Sequence, residues 1–429
     1  MQCERRPALF SGLGVVDAVL KETCPVLRLG VMDAVLKETC PVLGLGVVDA
    51  FEPVIQAGNE MLVHHILLYA CPSDVSLSSA PGECYIPNSA FFQCWQILAA
   101  WAIGGKGLQF PDNTGLSLGA PGDAVYGKLE VHYNNPNGTF TDSSGVRLYY
   151  TNNLRQFDAG VLEVGAHVVD PYVFIPPQAQ SYHLYGLCKT DKFRDVNGQD
   201  VADMQVFAYF LHTHLAGRAV EIAHFRNGSQ IGFLGRDMTF DFNLQESRYM
   251  ENITTVRMGD TIQVDCTYNT MDRTSVTVGG LGTMQEMCLG FLYFYPRNNI
   301  SNCLSSPNLT YTNQALNLSS PSDINSIQWS KDTIDLAQRT IRMANQSIEI
   351  YSNQQSVSDS GSLSNITEPA SATCNNATFD LPAATSAPGT NDASSVPLFN
   401  SARSGTLQCL TALLGLSLLF LQAALGTNM

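Results

Sequence analysis

Val206-Phe207-Ala208-Tyr209-Phe210-Leu211-His212-Thr213-His214, read beside Leu129-Glu130-Val131-His132-Tyr133, decides how this chain folds. Both stretches alternate at a period of two, so that successive side chains face opposite ways, as on a half-buried strand. Short runs of this kind recur from Phe51 to Pro296. Between them, turn signals fall at Asp112, Asn137, Asn197, Asn227 and Gly279, and helical periodicity is nearly absent before residue 330. The pattern predicts an all-β chain of two tandem antiparallel β-sandwich, jelly-roll-like domains, at residues 51–175 and 176–305. Asp170-Pro171 and Pro176-Pro177 mark the division because proline breaks strand pairing. One amphipathic helix is expected within Lys331 to Ser352.

The flanks read differently. Val31 to Leu43 nearly copies Val15 to Leu27, and Gly46-Val47-Val48-Asp49-Ala50 opens a third copy. Such short units do not make a solenoid, and residues 1–50 are expected to stand outside the folded modules. After Pro296 the composition turns to Ser, Asn, Thr and Ala. Residues 306–405 are therefore expected to be an extension and glycosylated stalk, with 353–405 a solvated, disordered tether. Residues 406–429 form an apolar tail. Leu407 to Leu425 is long enough to cross a bilayer, so the tail suggests membrane attachment by a lipid-anchor signal or a single transmembrane helix.

Composition excludes several functions. Charged residues make up only 14% of the 429 residues and the net charge is −15, which leaves no basic surface for nucleic acid or anionic headgroups. Twelve cysteines without zinc-ribbon spacing accompany nine Asn-x-Ser/Thr sequons, among them Asn137, Asn227, Asn252 and Asn299. Together they point to the secretory pathway, in the endoplasmic reticulum or at the cell surface.

The chemistry sits in the histidines. His212 and His214 are two apart, so on a strand both rings project from one face and could share a metal ion. His64 and His65 are adjacent and would point oppositely unless a bulge or strand end turns one of them. His132 shares a polar face with Glu130 and Asn134. Met287, in Glu286-Met287-Cys288, would add a thioether, a soft ligand suited to a copper that passes through its reduced state. A zinc hydrolase would need a glutamate base beside the histidines, and none stands there.

Val63-His64-His65, Leu129 to Tyr133, Ser144 to Tyr150, Leu211 to Arg218 and Gly279 to Cys288 resemble, in order and spacing, the copper type II ascorbate-dependent monooxygenases, most of all their dopamine β-hydroxylase-like branch. The resemblance covers about residues 50 to 305. It implies two sandwiches with one copper on each, two per chain, facing across a solvent cleft, with ascorbate as electron donor and dioxygen and a small molecule as substrates. His64, His65 and His132 would hold the electron-transfer copper. His212, His214 and Met287 would form the catalytic site, where an activated C–H bond is hydroxylated. It also implies disulfides Cys71–Cys94, Cys188–Cys303 and Cys266–Cys288. Phe210, Leu289 and Phe291 stand where the peptide-hydroxylating branch carries Arg, Asn and Tyr, so no peptide carboxylate is expected to find a counter-charge there. The alternative is a cell-surface relative that binds copper with impaired turnover, because the first sandwich looks short of its opening strands.

Overall fold

The computed structural model describes residues 14–19, 31–36, 46–71, 82–83, 94, 96–118, 123, 126–134, 140–168, 173–352 and 355–369. Residues 1–366 form one compact unit that contains two β-sandwiches, as the alternation predicted. The first is built from β1 (Gly14–Val19), β2 (Val31–Leu36), β3 (Gly46–Val54), β4 (Val63–Cys71), β5 (Gly82–Glu83), β6 (Gln96–Ala102), β7 (Leu108–Gln109), β8 (Thr114–Leu118), β9 (Tyr126–Tyr133), β10 (Gly145–Thr151) and β11 (Phe157–Asp158). One of its sheets runs β1-β10-β3-β8-β11, with β7 also on β3; the other runs β5-β2-β9-β4-β6.

The second sandwich comprises β12 (Gly160–Ala166), β13 (Phe174–Ile175), β14 (Tyr182–Lys189), β15 (Met204–His212), β16 (Gly217–Arg226), β17 (Ser229–Asp237), β18 (Arg248–Val256), β19 (Thr261–Tyr268), β20 (Thr277–Val278), β21 (Leu289–Tyr295), β22 (Ile300–Pro307), β23 (Gln346–Ser352) and β24 (Gln355–Gly361). Its large sheet runs β18-β15-β21-β12-β22-β23-β24 and its smaller one β14-β19-β16-β17, with β13 and β20 as a separate pair. Helices α1 (Leu309–Leu316) and α2 (Lys331–Met343) connect β22 to β23.

Three expectations need correction. The sheets change hands between β11 and β12, earlier than the proline-rich stretch suggested, because β12 pairs with β21 and β22 of the second sandwich. Pro176 and Pro177 lie between β13 and β14, inside that sandwich, and do not divide the two; Asp170-Pro171 lies outside the described residues. The segment after residue 306 is not all stalk: β23 and β24 extend the large sheet, and α2 buries Ala337 and Ile341. Helical periodicity there ends at Met343, where β23 takes over.

The third correction concerns the repeat, which supplies three strands of the first sandwich. β1 and β3 flank β10 on its two sides, and β2 lies in the other sheet against β9, pairing Val31 with His132. Gly-Val-Val-Asp-Ala-Val alternates like any strand. The tail at 406–429, Asn137 and most of the tether lie outside the described residues; among those described, no helix is long and apolar enough to cross a membrane.

β21 explains how the sandwiches meet. Every residue of Leu289–Tyr295 is buried, because the large sheet is covered on both faces. Leu292 and Phe294 pack inside the second sandwich. Phe291 and Tyr293 face the first, alongside Phe207 and Phe210 of β15, in one apolar cluster with Phe51, Ile66 and Leu129.

Candidate metal centre

β4 and β9 are neighbours in one sheet, and their register slips between Val63 and His65. This bulge at His64 turns two adjacent rings toward one place. The Nδ1 atoms of His64 and His65 lie 3.0 Å apart. With His132 from β9, the three rings each offer a nitrogen within 4.8 Å of the others, and all three residues are buried. Glu130, on the same face of β9, lies 3.4 Å from His65 Nε2 and 3.7 Å from Lys128 Nζ. That face, polar in sequence, is therefore interior: Glu130 and His132 are as inaccessible as Leu129 and Val131 opposite.

The second set stands at the end of β15. His212 closes the strand, His214 lies two residues on, and their ring centroids are 5.1 Å apart. Each ring is oriented through Nδ1. His212 donates to Gln245 Oε1 at 2.7 Å and His214 to the Gln285 carbonyl at 3.0 Å, which leaves both Nε2 lone pairs directed inward. Gly217 makes the tight turn possible, since a β-carbon there would lie 1.8 Å from Thr213 Oγ1.

Met287 sits in the loop before β21 and is buried. Tyr268 donates to its carbonyl at 2.5 Å, and the Cys266–Cys288 disulfide pins the next residue to β19. Glu286, fully buried, accepts hydrogen bonds from the backbone N–H groups of His214 (2.9 Å) and Ala216 (2.6 Å), joining the thioether-bearing loop to the His-Thr-His turn. Met287 and His212 line one cavity of about 230 Å³ with His65 and His132. The other two expected disulfides, Cys71–Cys94 and Cys188–Cys303, are also formed.

The resemblance implied a solvent cleft between the two sets; the structure closes it. His64 lies 6.3 Å from His212 and 6.1 Å from His214, centroid to centroid, and His65 lies 6.1 Å from His212. These distances barely exceed the 4.7 to 5.1 Å found within each set. Phe242 stacks on His64 at 4.7 Å, with 16° between the ring planes.

Such crowding sets the electrostatics. Burial first, then the neighbouring imidazoles, pushes His64 and His65 far below the ordinary histidine range. Burial likewise lowers His132 and His212 to about 4 and His214 to about 3. All five rings are thus neutral at physiological pH, the form in which imidazole binds a metal. His64 Nε2 and His214 Nε2 are buried without a hydrogen-bond partner, the lone pairs expected of ligands whose acceptor is a cation. Five neutral nitrogens and a thioether fit copper.

Sequence reasoning did not find Gln245, Phe242 or Glu286. Glu286 had a signal, since it sits beside Met287. Gln245 and Phe242 come from a turn with no motif, more than two dozen residues beyond His214.

These features are a donor set suited to copper, and comparison places the chain in a copper-dependent family. The N-terminal domain of the copper type II ascorbate-dependent monooxygenases matches residues 47–139, and the C-terminal domain of the same family matches residues 157–316. The chain belongs to this family. It is similar to DBH-like monooxygenase protein 2 of Mus musculus, 41% identical over 309 residues that cover 70% of this chain and 50% of that protein. Similarity extends to putative DBH-like monooxygenase protein 2 of Homo sapiens, at 46% over 61% of this chain and 52% of that one. Dopamine beta-hydroxylase of Bos taurus is 38% identical over 60% and 42% respectively. The chain spans about half the length of these curated relatives.

Proposed function

We propose that this chain hydroxylates an activated C–H bond of a small hydrophobic or aromatic molecule, using dioxygen and electrons from ascorbate. His64, His65 and His132 would hold one copper, and His212, His214 and Met287 a second. The single observation that carries this is the pair of buried, neutral ligand sets bordering one cavity. Bound copper would supply one-electron redox chemistry and activation of dioxygen.

The chain's own residues do the rest. Trp101, Phe210, Leu289 and Phe291 give the cavity apolar walls that exclude water and orient a substrate of about ten heavy atoms beside His212 and Met287. Glu163, raised to about 7 by burial and hydrogen-bonded to Asn302, is the polar point that would fix its orientation. Gln245 and the Gln285 carbonyl hold the His212 and His214 tautomers.

The three disulfides support passage through the secretory pathway, with membrane attachment through the C-terminal tail. Asn227, at the tip of the β16–β17 hairpin, and Asn252, on edge strand β18, are exposed and open to glycosylation. Ascorbate-dependent oxygen uptake by the copper-loaded chain tests the reading. Uptake lost in His214→Ala with the fold intact supports it; uptake unchanged in that variant, or two bound coppers with no uptake in the parent, would contradict it.

A further inference from the structure

A second group of reactive side chains lies on the smaller sheet of the second sandwich, among residues that the copper reading does not use. Ser181 stands immediately before β14 and His183 two residues on, so their side chains share one face. β19 pairs with β14, setting His183 opposite Thr267 and one diagonal step from Asp265. His183 Nδ1 lies 2.7 Å from Asp265 Oδ1, and Nε2 lies 3.4 Å from Ser181 Oγ. With its proton on Nδ1, the ring donates to the carboxylate and turns the Nε2 lone pair toward the hydroxyl. That is the order of acid, base and nucleophile used in acyl transfer, at a spacing that substrate can tighten.

The base is held from two sides. Gln338 of α2 engages its backbone, Oε1 accepting from His183 N–H at 2.6 Å and Nε2 donating to the His183 carbonyl at 3.2 Å. Tyr185 stacks on the ring at 6.2 Å, with 14° between planes. Burial works to lower the His183 pKa, but the hydrogen bond and charge of Asp265, with the charge of Glu221, leave it raised.

The serine faces open space. Ser181 is exposed and borders a cleft of about 920 Å³, lined by residues 177–181, the 271–276 loop and the segment leading into α2. This is room enough for a small organic ligand. Met271, Val276, Ile327 and Ile334 give the cleft apolar surface, and Ser330 and Lys331 bring the N-terminus of α2 to it, where the helix dipole favours negative charge.

We propose that Ser181, His183 and Asp265 form a hydrolytic site, separate from the copper ligands, that cleaves a carboxylic ester bound in this cleft. Ser181 Oγ bonds to the ester carbonyl carbon while its proton passes to His183 Nε2. The carbon–oxygen bond to the alcohol then breaks, and the alcohol leaves with that proton. Water repeats the sequence, giving its proton to His183, releasing the carboxylic acid and restoring the serine. Asp265 is a positioning residue that holds the productive tautomer.

A fluorophosphonate probe and p-nitrophenyl butyrate, applied to the full chain, test this. The expected result is one covalent phosphonate per chain, located on Ser181 by peptide mass, and ester hydrolysis that Ser181→Ala and His183→Gln each lower by about 100-fold or more. Asp265→Asn should lower the rate and also move the midpoint of its pH profile down, since the carboxylate that raises the His183 pKa is gone. If Asp265→Asn does not fold, the Ser181 and His183 variants decide. A probe that leaves Ser181 unlabelled, or hydrolysis unchanged in Ser181→Ala, would overturn the proposal.

Discussion

The two ligand sets meet in one place but are supported in opposite ways. His64, His65 and His132 stand on adjacent strands of a single sheet, oriented by a bulge, by one another and by Glu130. His212, His214 and Met287 sit on a strand end and two loops, and each is fixed by a separate device: Gln245, the Gln285 carbonyl, Glu286 and a disulfide. A site on paired strands inherits its geometry from the ladder, whereas a site on loops must be tied down residue by residue. The sheet of the first site also owes one neighbour of β9 to a copy of the repeat.

The comparison can be broken most severely at the ligands. His214→Ala should lower ascorbate-dependent oxygen uptake by more than the ~100-fold that marks the upper end for a supporting residue, with one copper retained on the first set. Copper analysis beside oxygen-electrode rates checks it.

Acid should break both sets together. Each ring has a folded pKa below its unfolded value, so the unfolded chain takes up protons first as pH falls. Stability is therefore full above about 6.5 and lost progressively below it, by roughly 1.4 kcal/mol per ring per pH unit until the folded pKa is reached. For five rings the metal-free protein should be several kcal/mol less stable at pH 5.5 than at pH 7.5. Thermal melts at the two values measure this, and equal midpoints would mean that the rings are not buried and neutral.

The disulfides sharpen the contrast. Cys71–Cys94 and Cys266–Cys288 close loops of nearly equal length, with separations of 23 and 22, so replacing either pair by serine should cost about 3 kcal/mol in denaturant unfolding. Only the second loss should also weaken Cu(I) binding, because only that bond braces Met287. Competition against a chromogenic Cu(I) chelator separates the two.

The smallest effect is expected in the repeat. Met32→Val converts the second copy to the wording of the first and third, which already form strands, and should change stability by less than about 1 kcal/mol.

What could be read from sequence follows the same division. His212 and His214 were legible because a period of two fixes their common face. His64 and His65 needed a bulge, whose presence depends on the partner strand β9 and not on local sequence. The repeat misled because short tandem copies suggested a segment outside the folded modules, while its alternation suited strands in two different sheets. The closeness of the sets was not legible at all. Phe242 of the second sandwich reaches His64 of the first only after both are formed.

X-ray absorption at the copper edge of the ascorbate-reduced chain tests the central assignment most directly, with the metal counted in the same sample. Two coppers per chain and a copper–sulfur shell that disappears in Met287→Leu are predicted. A spectrum of nitrogen and oxygen scatterers alone, or a sulfur shell that survives the substitution, would contradict the assignment of Met287 as a copper ligand together with His212 and His214.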